Sequence, residues 1–247
     1  LFLFLYFVLG FYLSINTGIT TDEIENLYSW SLNLEAIKEF FGYNNTGFSN
    51  LYEYVWRYKG VGYFYFAQIY FLISGFLIEF NDYSETISKV LLNHGLIFTT
   101  FFLSAILSKK ILKLIIKDSF YSNIFLIFYL SYPYLIGHGF FNTTDTPFLF
   151  VWILSTYISI KIFLSVYKKQ KVSFLNIFVL SFTTAFLVSI RMTGLVIFLQ
   201  YFIFAVITSK SIDNNFFNLI KLYLLKIFSF ILIFLIFTLL FYPLFWK

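Results

Sequence analysis

A pair of adjacent carboxylates, Asp22 and Glu23, stands in the stretch Thr17-Gly-Ile-Thr-Thr-Asp-Glu, directly after an apolar run. Two such groups can take a proton from an attacking hydroxyl or help hold a divalent ion. They also read as the start of a helix. Thr20 and Glu23 have the Thr-x-x-Glu spacing of a capping box, and acids suit a first helical turn. Taken alone, capping statistics favour that plainer account. A third carboxylate, Asp145, sits in Gly137-His138-Gly139-Phe-Phe-Asn142-Thr-Thr-Asp145-Thr-Pro147, where it could equally cap the next apolar run. His138 lies between two glycines, which would free the backbone for the close approach of a ligand. Arg191, in Ser189-Ile-Arg-Met-Thr-Gly194, separates two apolar runs. A guanidinium there invites a phosphate, which its planar fork fits, or it snorkels to ordinary headgroups. Lys59, in Arg57-Tyr58-Lys59-Gly60, is a further phosphate candidate, with interfacial anchoring at least as good an account.

The elements that must position these groups follow from composition. The chain has 247 residues, 60% of them hydrophobic, 25% aromatic and only 12% charged, with no cysteine and a net charge of +5. A soluble domain is about 25% charged. This chain could not cover its own surface in water, which excludes a soluble globular fold, disorder and a disulfide scaffold. Most apolar runs exceed the roughly 10 residues of a membrane-barrel strand and do not alternate, so an all-α, polytopic transmembrane bundle is expected. Hydropathy marks eight segments, at 1–15, 62–80, 87–107, 120–136, 147–166, 174–190, 194–208 and 216–245. These spans are almost free of charge.

Charge then orients the bundle. Three regions, 109–118, 161–171 and 210–226, hold 11 of the 17 basic residues and only two of the acids. By the positive-inside rule they face the cytoplasm. Eight crossings with the N-terminus inside would put them outside. If 62–80 lies in the interface instead, seven crossings remain, and Asp22, Asp145 and Arg191 share the extracytoplasmic face. Eight crossings with the N-terminus outside also satisfies the rule but moves Asp22 to the cytoplasm. The seven-span arrangement is preferred. It makes 17–85 a first external loop with interfacial helices. The chain is treated as one module, 1–247. Because it opens at Leu1 inside an apolar run, it is read as a fragment with a clipped first span rather than a signal peptide. Two Asn-x-Thr sequences, at Asn44 and Asn142, are weak glycosylation patterns. No Walker loop, dinucleotide fingerprint or Cys/His metal cluster is present.

In this order the residues resemble the GT-C glycosyltransferases, in particular the family 39-like group of protein O-mannosyltransferases and aminoarabinose transferases. The resemblance rests on Asp22-Glu23 after the first span, the long first loop, His138-Gly-Phe-Phe-Asn142-Thr-Thr-Asp145-Thr-Pro147-Phe148, and the turn Arg191-Met-Thr-Gly194. It runs over nearly the whole chain, although members are about twice as long, which would leave their C-terminal part missing here. Members often carry an acid directly before the lysine at the position of Lys59; here that place is Tyr58, and the nearest upstream acid is Glu53. The resemblance implies a sugar donor on a polyprenyl phosphate and a lipid, glycan or protein acceptor. The sugar would move with inversion at the outer face of a plasma (bacterial inner) membrane. Asp22 would be the base, with Glu23 beside it. Asp145 would position the acceptor or a divalent cation, and Arg191, Lys59 and His138 would bind the donor phosphate. A transporter or lipid flippase is the competing class, and a noncatalytic membrane subunit the third.

Overall fold

The computed structural model describes residues 1–57, 61–79, 85–212 and 216–247, the side chains of 74–79 excepted. Every regular element among the described residues is a helix. The order is α1 (Phe2–Ile15), α2 (Thr21–Phe40), α3 (Gly47–Glu53), α4 (Val61–Glu79), α5 (Glu85–Ile116), α6 (Ser119–Ser131), α7 (Pro133–Phe141), α8 (Asp145–Tyr167), α9 (Phe174–Ile190), a 3-10 turn (Met192–Val196) running into α10 (Ile197–Ser211), and α11 (Phe216–Phe241).

Four of these are long and apolar enough to cross a bilayer: α5, α8, the stretch Met192–Ser211 and α11. A fifth is added if α6 and α7 count as one span bent by 60°. α1, the Val61–Ile73 part of α4, and α9 are apolar but shorter. The 17 residues of α9 rise about 25 Å at 1.5 Å each, close to the lower limit for a span. The single segment expected at 120–136 is therefore a broken one. The break falls at Tyr132-Pro133, where proline cannot donate to the preceding turn and pushes the residue before it out of the helical region.

The lysine-rich stretches differ from the loops expected. α5 carries Lys109, Lys110 and Lys113 on its last turns and stops only at Lys117, whose φ is 58°. Asp118 then caps α6 by accepting from the Phe120 amide at 2.7 Å. Lys161 lies inside α8, and that helix closes through Lys169, with φ 55°. Lysine is a good helix former and faces the negative end of the helix dipole there, so helix persists where hydropathy alone stops.

Packing fixes the register. α1 runs antiparallel to α5. Tyr6 stacks on Phe102, Gly10 faces Phe98, and Ser14 meets His94. A Cβ at Gly10 would lie 2.0 Å from the Phe98 ring, so only glycine allows this approach. The first turns of α4 are buried: Val61, Tyr63, Phe64, Ala67 and Phe71 join Trp30, Ile97, Leu187 and Tyr242 in the central core. At Gly62 a Cβ would collide with Ser189 of α9. α2 and α3 form a separate apolar cluster through Leu32, Ala36, Phe48 and Leu51, closed by Leu244 from beyond α11.

The bundle thus has two ends. α1 finishes, α5 and α8 begin, and α9 finishes at what we call the polar end. α8 passes to α9, and α10 to α11, at the opposite, lysine end. α11 turns much of its length outward: Leu222, Leu225, Phe228, Leu235 and Leu239 are all exposed. An apolar surface of that extent needs hydrocarbon or protein against it, which fits membrane association.

Candidate active site

Thr20 does start a helix, and the capping box expected with Glu23 forms. The Thr20 amide donates to Glu23 Oε2 at 2.7 Å, and its hydroxyl to the same oxygen at 2.9 Å. The other oxygen is directed inward. Glu23 Oε1 makes a very short contact with His94 Nε2. Both side chains are buried, at 3% and 0% exposure. His94 Nδ1 lies 3.1 Å from the Ser14 carbonyl. A carbonyl can only accept, so that nitrogen carries a proton. The pair ties the end of α1, the start of α2 and the first turns of α5 together. Beside it, the Tyr63 hydroxyl donates to Asn93 Oδ1 at 2.5 Å.

His94 was not anticipated from sequence; it places an ionisable side chain inside a segment expected to be almost free of charge. The signal was present: Asn93-His94 interrupts an apolar run, and an ionisable group within such a run is a functional or pairing residue by default.

Asp22 is the opposite of its neighbour. It is exposed and has no hydrogen bond or ion pair among the described residues. Helical spacing puts it one turn ahead of Asn26 on the same face. Asn26 is buried and donates from Nδ2 to the Thr143 hydroxyl at 2.7 Å. That bond joins the helix carrying Asp22 to the turn that leads into Asp145, the first residue of α8.

The turn from α7 into α8 is organised by Asn142. Its side-chain oxygen accepts from the Asp145 amide at 2.7 Å and the Thr144 amide at 3.1 Å. Its nitrogen donates to Asp145 Oδ2 at 3.0 Å and to His138 Nδ1 at 2.8 Å. The capping role considered for Asp145 therefore belongs to Asn142, and the Asp145 carboxylate is left for another partner. That partner is Arg191, whose Nη1 lies 2.6 Å from Asp145 Oδ1, while Nη2 donates to the Thr144 hydroxyl at 3.1 Å. Arg191 holds this position as the residue that closes α9, antiparallel to α8. Both charged side chains remain 45% exposed, so an incoming anion or hydroxyl can reach them.

His138 is not flanked by free backbone. Gly137, His138 and Gly139 are all inside α7. Gly139 is there for packing, since a Cβ would meet the Phe101 ring at 2.9 Å. Lys59 lies outside the described residues.

Asp145, Arg191 and His138 thus meet around Asn142. Glu23 is withdrawn into the bundle with His94, and Asp22 stands free on a helix hydrogen-bonded to that cluster. No group of three or more His, Asp or Glu side chains able to hold a metal ion occurs among the described residues. Glu23 is committed to Thr20 and His94, and Asp145 to Arg191 and Asn142. Of these three carboxylates, Asp22 alone has no side-chain partner among the described residues.

Fold and site together define an all-α bundle with several membrane-length apolar helices and a polar cluster at one end. No protein-family model, no curated protein and no solved structure matches the chain.

Proposed function

We propose that the chain is a membrane glycosyltransferase that moves a sugar from a polyprenyl-phosphate donor to an acceptor hydroxyl, at the extracytoplasmic face of a plasma (bacterial inner) membrane. The observation that carries the reading is the division of labour at the polar end. A free, exposed carboxylate, Asp22, stands on a helix tied by Asn26 and Thr143 to a half-exposed guanidinium, Arg191. A base and an anion binder, separately held, are the two groups that such a transfer needs.

In this mechanism the acceptor oxygen attacks the anomeric carbon as its proton passes to Asp22. The bond from that carbon to the phosphate oxygen breaks, and the electron pair leaves with the polyprenyl phosphate. Configuration inverts. Arg191 receives the growing phosphate charge, turning from Asp145 or bridging to it. Asp145 orients the guanidinium and, through Asn142, the turn. His138 lies within reach of the same turn as a second donor to the phosphate. Glu23 holds the start of α2, and so the direction of Asp22, without touching substrate. The bundle would cross the membrane seven times, as α1, α5, α6 with α7, α8, α9, α10 and α11, with the lysine end in the cytoplasm.

The test is transfer from a polyprenyl-phosphate sugar by the protein in native membranes. Asp22→Asn should lower turnover by about 10²–10⁴, the usual contribution of a general base, without loss of expression. Turnover within a few fold of the parent removes Asp22 from the chemistry. One observation favours a second reading, a transporter or flippase: the 60° break between α6 and α7, since discontinuous helices mark many transporter sites. That reading requires lipid or solute movement in vesicles that survives Asp22→Asn.

A further inference from the structure

At the lysine end, four helices leave a cavity between them. Its volume is about 390 Å³, and it is walled by Ile162 of α8, Leu180 of α9, Phe198 and Ala205 of α10, and Leu219 and Phe230 of α11. That size falls within the range of roughly 300–1,000 Å³ for sites that bind small molecules. The walls are almost wholly apolar. Water has too few partners there, and an empty void would forfeit the dispersion contacts of every side chain that lines it.

The cavity is not closed. Val172, Tyr223 and Lys226 line it and also line a second, polar hollow of about 600 Å³. That hollow is built on the turn between α8 and α9 and adds Lys169, Lys171 and Ser173. Lys226 stands at the junction. Its ammonium donates to the Val172 carbonyl and lies 4.3 Å from the centre of the Phe174 ring. None of Lys169, Lys171 and Lys226 has a carboxylate partner among the described residues. An apolar chamber therefore opens onto a mouth with three uncompensated positive charges.

We infer that this is a binding site for one anionic phospholipid of the leaflet at the lysine end: an acyl chain fills the chamber, and Lys169, Lys171 and Lys226 hold the phosphate. The complementarity is twofold, apolar to apolar and positive to negative. Both halves of the ligand are needed to occupy both halves of the site. The site lies at the far end of α8 and α9 from Asp145 and Arg191, so it stands or falls independently of the glycosyl-transfer reading.

The lysines on the last turns of α5 provide the control. Lys109 and Lys110 are as basic, at the same end, and line neither hollow. The experiment is lipid titration of the detergent-purified chain, read by native mass spectrometry, with phosphatidylglycerol, phosphatidylcholine and undecaprenyl phosphate as probes. Phosphatidylglycerol should give one retained adduct and outcompete the other two. The double variant Lys169→Gln, Lys171→Gln should weaken that adduct by about tenfold or more, at roughly fivefold per lysine near the surface. Ala205→Phe, which fills the chamber, should weaken it comparably. Lys109→Gln with Lys110→Gln should leave it within twofold. Equal losses from both lysine pairs would mean surface charge alone and would overturn the site. So would phosphatidylcholine or undecaprenyl phosphate binding as tightly as phosphatidylglycerol. If Ala205→Phe does not fold, the two lysine pairs decide the matter, because their side chains lie at the surface.

Discussion

The two ends of the bundle are built on different rules. At the polar end, charges of both signs occur, and Glu23, Asp145 and Arg191 each have a specific partner from a distant part of the chain. Glu23 meets His94, Asn26 meets Thr143, Tyr63 meets Asn93, and Asp145 meets Arg191. At the lysine end the charge is nearly all positive, and polar contacts are largely local, such as Asp118 with Phe120 and Ser173 with Leu175. Directional bonds across helices fix a geometry; a count of like charges fixes only an orientation. One end is held by specific bonds between distant residues, and the other carries mainly charge of one sign.

The sharpest way to break this contrast is to remove His94. His94→Ala leaves the Glu23 carboxylate buried without its inner partner. Losing half of a buried pair costs about 3–5 kcal/mol, and thermal unfolding in detergent should register it. Lys110→Ala at the other end should change stability by no more than about 0.5 kcal/mol. Similar losses from the two would erase the distinction. Asn142→Ala comes next. It removes the acceptor for two amides at the start of α8 and the donor to Asp145, at a cost of about 1–2 kcal/mol. The same unfolding measurement checks it, and glycosyl transfer should fall with it as Asp145 loses its orientation. Asp145→Asn should cost less than about 1 kcal/mol, because the pair with Arg191 is half-exposed and solvent-screened. Its effect should be read in the affinity for the polyprenyl-phosphate donor, where a freed Arg191 changes phosphate binding. An unchanged affinity would separate Arg191 from the donor.

The smallest effect concerns Glu39, on the outer part of α2. Its hydrogen bond from Lys247 (2.5 Å) and then one from the Phe48 amide (2.7 Å) hold its carboxyl below the usual carboxylate range. A depressed value in the folded state means that this contact contributes fully above the ordinary carboxylate pKa of about 4.3 and is lost as pH falls through the lowered value. Trp246, 5.2 Å from the Phe40 ring, should report the loosening as a fluorescence change confined to pH below about 4. A change already complete at neutral pH would assign it to some other group.

Much of this was legible in the residues. The all-α class followed from run length, and the Thr20–Glu23 box from its spacing. Asp145 and Arg191 were expected on one side because charge bias sorts loops by side. Their pairing was not legible, since it depends on α8 and α9 lying antiparallel at one register. Pro133 announced the α6–α7 break, but an averaged hydropathy run passed over it. His94 was hidden in the same way, one polar residue within a long apolar stretch. Its role depends on Glu23, 71 residues away in the sequence. Asp145 read equally well as a cap or as a functional carboxylate, and sequence cannot say which of two suitable side chains, Asn142 or Asp145, takes the cap.

The closing turns of α5 and α8 offer something practical. Lys117 and Lys169 occupy left-handed backbone, at φ 58° and 55°, where a side chain carries a penalty of roughly 1 kcal/mol that glycine escapes. Lys169 borders the proposed lipid mouth and is better left alone. Lys117 borders neither hollow, so Lys117→Gly is a ready-made thermostabilising change for purification and crystallisation, at the expense of one of the eleven basic residues at that end.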